Sequence, residues 1–212
     1  MILEFVGIPG AGKSALAQQI VSVRSGLSLH VGIRPRPVGR KRRWLSRIAD
    51  LGAVPSVGIA CLPLIRNRET AILAARLCRY QRFRRSLHGA RGVHVLEEGP
   101  LLGLSAFTSV QPSALQLLRR IAVPDIAIAV VVRPETALGR IRQRERSLDL
   151  ERMADLAAVR VLTSHRDAME AILAQPQLRS IVLKIDGEDP IHESVEKVET
   201  RLRKLCHQKG QM

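Results

Sequence analysis

Aromatic side chains make up only 2% of this 212-residue chain: three Phe, one Trp and one Tyr. Proteins that grip single-stranded nucleic acid stack bases on aromatic rings, so this scarcity counts against that class while leaving contacts to a phosphodiester backbone open. Cysteine is scarce too. Cys61, Cys78 and Cys206 are odd in number and far apart, and neither a CxxC pair nor an HExxH occurs. Neither a disulfide framework nor a zinc site is suggested, and a reducing cytoplasm fits. The six histidines (His30, His88, His94, His165, His192 and His207) lack metal-ligand spacing and read as structural or exposed. The longest apolar stretches, Leu51 to Ile65 and Ile121 to Val132, are broken by proline and shorter than the roughly 20 residues of a spanning helix. The first residues form a strand candidate rather than a basic segment with a cleavable apolar run, so neither a membrane span nor export is expected. The single asparagine, Asn67, sits in RNRET, unlike the NKxD motif of guanine-specific GTPases.

What is present starts at Gly7. The run Gly7-Ile8-Pro9-Gly10-Ala11-Gly12-Lys13-Ser14 matches the phosphate-loop pattern GxxxxGK[ST] and follows the apolar strand candidate Ile2 to Val6. A strand that ends in a glycine-rich turn and opens into a helix points several backbone N–H groups at one anionic spot. Gly7, Pro9, Gly10, Ala11, Gly12 and Ala15 would form that cradle around a nucleotide. Lys13 would reach the β- and γ-phosphates as a point charge, and the Ser14 hydroxyl would complete a Mg²⁺ shell. The alternative, a dinucleotide fingerprint in Gly10-x-Gly12-x-x-Ala15, needs a carboxylate roughly 20 residues on. From Phe5 to Ala49 there is none.

Charge is the second feature. The net charge is +15, and residues 1–91 hold 17 Lys/Arg against Glu4, Asp50 and Glu69 alone, whereas residues 92–212 hold 17 against 16. An excess concentrated in one half predicts an anionic partner there: a phosphorylated small molecule, nucleic acid or an acidic membrane surface. Its densest part, Arg34 to Arg47 (RPRPVGRKRRWLSR), resembles neither core nor strand and is expected to open an insertion. Leu51 to Ile65 after it is expected to be core.

Apolar runs at Ile2 to Val6, Val93 to Leu96, Ile126 to Val132 and Ile181 to Ile185, with a weaker one at Leu27 to Ile33, predict strands. Helical patterns fall between them at Gly12 to Arg24, Thr70 to Leu87, Ser113 to Ile121, Glu135 to Arg146, Glu151 to Leu173 and Ile191 to Cys206. This alternation predicts a parallel sheet covered on both sides. Together with the loop, it gives the expected fold class: a single α/β domain of the P-loop NTPase type, three-layer α/β/α, with five parallel strands.

Two further groups carry chemistry. Val93 to Glu98 (VHVLEE) is an apolar strand ending in carboxylates, where phosphate-loop enzymes place an acid that holds Mg²⁺ or accepts a proton. Only one of the two should face the loop, since strand side chains alternate; Glu97 is favoured, with Glu98 the alternative. Arg140, Arg142, Arg144 and Arg146 fall on one helical segment, with Arg140 above Arg144 and Arg142 above Arg146. Arg140 and Arg144 are expected to close over the transferring phosphoryl group, where a guanidinium stabilises developing charge. Arg142 and Arg146 are expected to be solvated.

With loop, acidic strand end and arginine helix in this order, the chain resembles the nucleoside and nucleotide kinases, and most of all the thymidylate kinase family. Leu96-Glu97-Glu98-Gly99-Pro100 resembles that family's strand-end Asp-Arg-Gly-Pro, and Val131 to Arg146 its Pro-Glu helix leading into an arginine-bearing lid. Val159 to Ile172 and Ile185 to Val198 are similar to its last two helices. Glu98 stands where the family has an arginine that contacts the acceptor phosphate, and Leu27 to Arg91 shows no match. The resemblance implies an ATP- and Mg²⁺-dependent phosphotransferase with a helical acceptor-binding insertion at 34–91, a lid at 134–152, and Asp186 and Gly187 beside the adenine. The expected acceptor is small and anionic, and a homodimer is left open. The competing readings are an ATP-binding regulatory or nucleic-acid-associated protein and a kinase of a lipid-linked or glycan substrate.

Overall fold

The computed structural model describes residues 1–23, 27–30, 55–87, 92–143 and 149–208. The basic stretch 34–47 and the arginines Arg144 and Arg146 lie outside the described residues. Five strands, β1 (Ile2–Val6), β2 (Leu27–His30), β3 (Val93–Leu96), β4 (Ile126–Val131) and β5 (Val182–Asp186), form one all-parallel sheet in the order β2-β3-β1-β4-β5. Parallel neighbours require long crossovers, which the helices supply. These are α1 (Lys13–Val23), α2 (Pro55–Cys61), α3 (Arg68–Ser86), α4 (Pro100–Val110), α5 (Pro134–Arg142), α6 (Asp155–Leu173) and α7 (Ile191–Gln208). The sheet is the expected five-stranded one, with helices on both faces.

The period of two in the strands divides the core. Leu3, Phe5, Ile126, Ile128 and Val130 point to one face, where they meet Leu16 and Ile20 of α1 and Val198 and Leu202 of α7. Val6, Ala127 and Ala129 point to the other, against Leu101, Leu104 and Phe107 of α4, backed by Leu77 of α3 and Ile172 of α6. Alanines on that side of β4 let α4 and α6 approach closely. Strands buried on both faces read as continuous apolar runs, which is why β4 was legible as IAIAVV.

Helix α3 begins at the chain's single asparagine. Asn67 caps it by accepting from the Thr70 N–H at 2.9 Å, while Thr70 returns a bond to the Asn67 N–H. Such a capping box contributes about 1 kcal/mol.

Helix α4 departs from the sequence expectation, which placed a helix on Ser113 to Ile121. That stretch instead forms 3₁₀ turns over Pro112–Arg119, while PLLGLSAFTSV forms α4. Seven of its eleven residues are buried, so it lacks the one-sided stripe by which a surface helix is recognised. The available signal was Gly99-Pro100, a glycine N-cap followed by proline in the first helical turn. In the expected core segment Leu51 to Ile65, Val57, Cys61 and Leu64 are buried, but Ile59 and Leu62 are 66% and 59% exposed. No helix of the described residues is long and apolar enough to cross a membrane.

Candidate active site

The phosphate loop leaves the end of β1, at the centre of the sheet, and runs into α1. Gly10 and Gly12 take φ of +81° and +94°, in the left-handed region that side chains rarely adopt. At Gly10 a Cβ would also lie 2.4 Å from the Ala137 carbonyl oxygen, so the loop presses directly on α5. The Lys13 Nζ donates to the carbonyls of Gly7 and Ile8, both at 2.9 Å, and so folds back along the loop that it closes.

The end of β3 separates its two acids. The Ser14 hydroxyl donates to Glu97 Oε1, so β3 and α1 bring the loop serine and the first acid together. Glu98 turns towards α3, where the Tyr80 hydroxyl donates to its Oε2 and Arg76 Nη2 donates to the same oxygen at 3.0 Å. Arg76 Nε is also 2.7 Å from the Tyr80 oxygen. Partial burial pushes the Glu98 carboxyl up, but the Tyr80 bond, the Arg76 guanidinium and the charge of Lys13 outweigh it and hold the group below the usual carboxylate range. Burial and the bond to Glu98 push the Tyr80 phenol up. The Lys13 charge also reaches His165 on α6, whose imidazole is held below its ordinary value first by burial and then by that lysine. Of Arg76, Tyr80 and His165, only Tyr80 stands out in the sequence, as its single tyrosine. The first two form an i, i+4 pair on α3, but their partner lies 18 residues or more downstream and only the fold supplies it.

Glu4 is a second departure from sequence reasoning, which counted it only as charge. It is fully buried in the middle of β1, on the α4 side. Its Oε1 accepts from the Leu102 N–H at 2.9 Å in the first turn of α4, where the helix dipole favours a carboxylate. Oε2 is buried with no hydrogen-bond partner. Desolvation dominates and pushes the Glu4 carboxyl up to about 8, against the pull of the backbone bonds to Leu102 and Leu101. Gly99 follows from this: a Cβ there would stand 2.4 Å from the Glu4 carboxyl carbon. The turn that presents Glu97 and Glu98 therefore rests on Glu4.

On the other side of the loop, Arg140 of α5 donates from Nη1 to the Gly187 carbonyl at 2.9 Å and lies 3.9 Å from where a Gly12 Cβ would be. Gly187 donates to the Val131 carbonyl, and a Cβ on it would come within 2.9 Å of the Ala11 carbonyl, so the turn after β5 lies flush on the phosphate loop. Asp186 is occupied in that turn, accepting from the Glu188 N–H at 2.8 Å. A cavity of about 210 Å³ opens here between Gly12, Ala15, Arg140, Gly187, Asp189 and Ser194. The structure thus brings together Lys13, Ser14 and Glu97 on one side and Gly12, Ala15, Arg140 and Gly187 on the other, while Arg144 lies outside the described residues.

No protein-family profile and no curated protein matches this chain. Among solved structures it is similar to deoxyadenosine kinase from M. mycoides. The form with dATP bound has a TM-score of 0.60 at 12% identity, covering 96% of this chain and 100% of that one. The form with the products dCMP and a flexible dCDP gives 0.61 at 13%, and that with dCTP gives 0.58 at 15%, each with the same coverage. Together with the sheet order, these likenesses establish a three-layer α/β/α fold shared with those structures.

Proposed function

We propose that the protein is a Mg²⁺–ATP-dependent phosphotransferase of the nucleoside and nucleotide kinase type, acting on a small acceptor. The observation that carries this reading is the convergence of Ser14 and Glu97 beside a complete phosphate loop. The two supply hard oxygen donors, the set Mg²⁺ takes with one or two protein ligands while phosphates and water complete its shell. Bound there, the ion would neutralise charge on the β- and γ-phosphates. Lys13 would exchange its loop carbonyls for phosphate oxygens, and Gly10 and Gly12 would let the backbone close on them. Arg140 would steady Gly187 against the nucleotide beside Gly12, and Asp186 would hold the turn that borders the base cavity.

The likeness to deoxyadenosine kinases supports a nucleoside-type acceptor over a thymidylate one, and the acceptor region is assigned to 34–91, with 134–152 as the lid. The anionic acceptor, nucleic acid and membrane expectations rest on Arg34 to Arg47, outside the described residues. The test is transfer from γ-labelled ATP with Mg²⁺ to nucleosides, nucleotides, sugars and lipid-linked acceptors. A labelled product that disappears in Lys13→Ala establishes the kinase. ATP binding that is indifferent to Lys13, with no transfer, refutes it.

A further inference from the structure

We infer that Cys61 and Cys78 form a latent disulfide site, a dithiol across the α2–α3 contact that closes to an intramolecular disulfide when α2 opens in the presence of a small-molecule disulfide. Cys61 is the last residue of α2, and Cys78 lies midway along α3. Both side chains are fully buried in the apolar cluster on the α4 side of the sheet, and neither is in a disulfide. The two helices pack against each other, and the two thiols are hydrogen-bonded to one another. Val57, Leu64, Ala74 and Leu77 of the same cluster give the pair apolar surroundings. A buried cysteine packs as a small apolar residue, and one alone needs no further explanation. Two whose thiols meet place a nucleophile beside its own resolving partner.

While α2 is docked, the pair is protected. The bond to Cys78 first, and burial second, hold the Cys61 thiol above its ordinary range, so little of the reactive thiolate is present. The weak element is α2. It is seven residues long, and Ile59, with Leu62 just beyond its end, leaves an apolar side chain in water. Its partner α3 has nineteen residues and a capping box. Local opening therefore lifts α2 from α3 before the sheet unfolds, and returns both thiols to solvent.

The oxidant is a small disulfide, R–S–S–R. The Cys61 thiolate attacks one of its sulfurs and forms a Cys61–S–S–R bond, while RS⁻ leaves with the electron pair of the broken bond and takes up the proton that Cys61 released. Cys78 then loses its proton and attacks Cys61 Sγ, expelling the second RS⁻, which takes up that proton. Two cysteines are oxidised and one R–S–S–R is reduced to two RSH. The product closes a loop over residues 62–77 and staples α2 to the stretch of α3 from which Arg76 and Tyr80 reach Glu98.

The test incubates the full chain with oxidised glutathione, with and without urea below the unfolding midpoint. Remaining thiols are then blocked and the products mapped by mass spectrometry after trypsin, which releases Cys61 in peptide 48–66 and Cys78 in peptide 77–79. The expected product is lighter than the reduced chain by two hydrogens and links those two peptides. It should form at least tenfold faster in the dilute urea and revert with dithiothreitol. The oxidised protein should melt roughly 5–10 °C above the reduced one. Cys61→Ser and Cys78→Ser, each checked for a cooperative melt, should lose the link and hold glutathione on the remaining cysteine of the pair. Glutathione that stays on Cys61 or Cys78 of the wild type without closure, a link through Cys206 instead, or closure only after complete unfolding overturns the inference, as does an oxidised form that melts no higher than the reduced one. These readouts involve no phosphoryl transfer, so failure of the kinase reading leaves them unchanged.

Discussion

The two sides of the phosphate loop are built from different materials. The donor side is mostly main chain: glycines at positive φ, the carbonyls that hold Lys13, and the Gly187 turn that covers Ala11. The other side is built from long side chains reaching across the fold, Arg76 and Tyr80 to Glu98, and Glu4 to the start of α4. A backbone cradle fits any triphosphate and depends on a few adjacent residues. A side-chain corner is specific, and it depends on α3, α4, β1 and β3 being placed together. The donor half is thus a local property of the sequence and the second half a property of the tertiary structure.

Substitutions can break this comparison, and the largest effect belongs to the donor side. Lys13→Ala should lower transfer by roughly 10²–10³-fold, the usual cost of one preorganised donor to developing charge, in steady-state assays with labelled ATP. Glu97→Gln should cause a loss that added Mg²⁺ partly restores, whereas Lys13→Ala should not respond to the metal. On the other side, Gly99→Ala should destabilise by about 1–3 kcal/mol in denaturant melts, because the new methyl meets the Glu4 carboxyl carbon at 2.4 Å. Little loss there would mean that the Glu4 contact does not hold the turn. Asn67→Ala should cost about 1 kcal/mol by removing the α3 cap, with ATP affinity unchanged.

The subtlest prediction concerns pH. The folded protein keeps a proton on Glu4 up to about pH 8, while the unfolded chain releases it near 4.5. The folded state therefore binds more protons through that window, and stability should fall as pH rises from about 4.5 to about 8. Glu4→Gln keeps an oxygen for the Leu102 N–H and should flatten that slope in chemical denaturation. An unchanged slope would place the pH dependence elsewhere.

Legibility in the sequence follows the same divide. GIPGAGKS announces its chemistry within eight residues, and the buried strands announce themselves as apolar runs, so the sheet and the donor loop could be anticipated from neighbouring residues. The preference for Glu97 over Glu98 rested on strand alternation, and the contact with Ser14 places Glu97 at the loop. The bond of Arg140 to the Gly187 carbonyl was not legible, because its partner lies 47 residues downstream. Helix α4 was missed because its burial on most sides erases the amphipathic signal. The roles of Tyr80, Arg76 and Glu4 were missed because each depends on a partner distant in sequence: 18 residues for Tyr80, 22 for Arg76 and 98 for Glu4.

The central place of β1 has a kinetic consequence. Its neighbours pair Ile2 with His94 and Leu3 with Ile126, so neither edge can be satisfied until a large part of the downstream chain has been made and collapsed. Closing loops of that length is slow, and a strand with two bare edges meanwhile invites pairing with other molecules. The phosphate loop hangs from this strand and cannot mature before it docks. Capture of a nucleotide should therefore be among the last events of refolding, appearing together with completion of the sheet, and a ligand present during folding would trap the finished molecule without hastening the strand pairings that precede it.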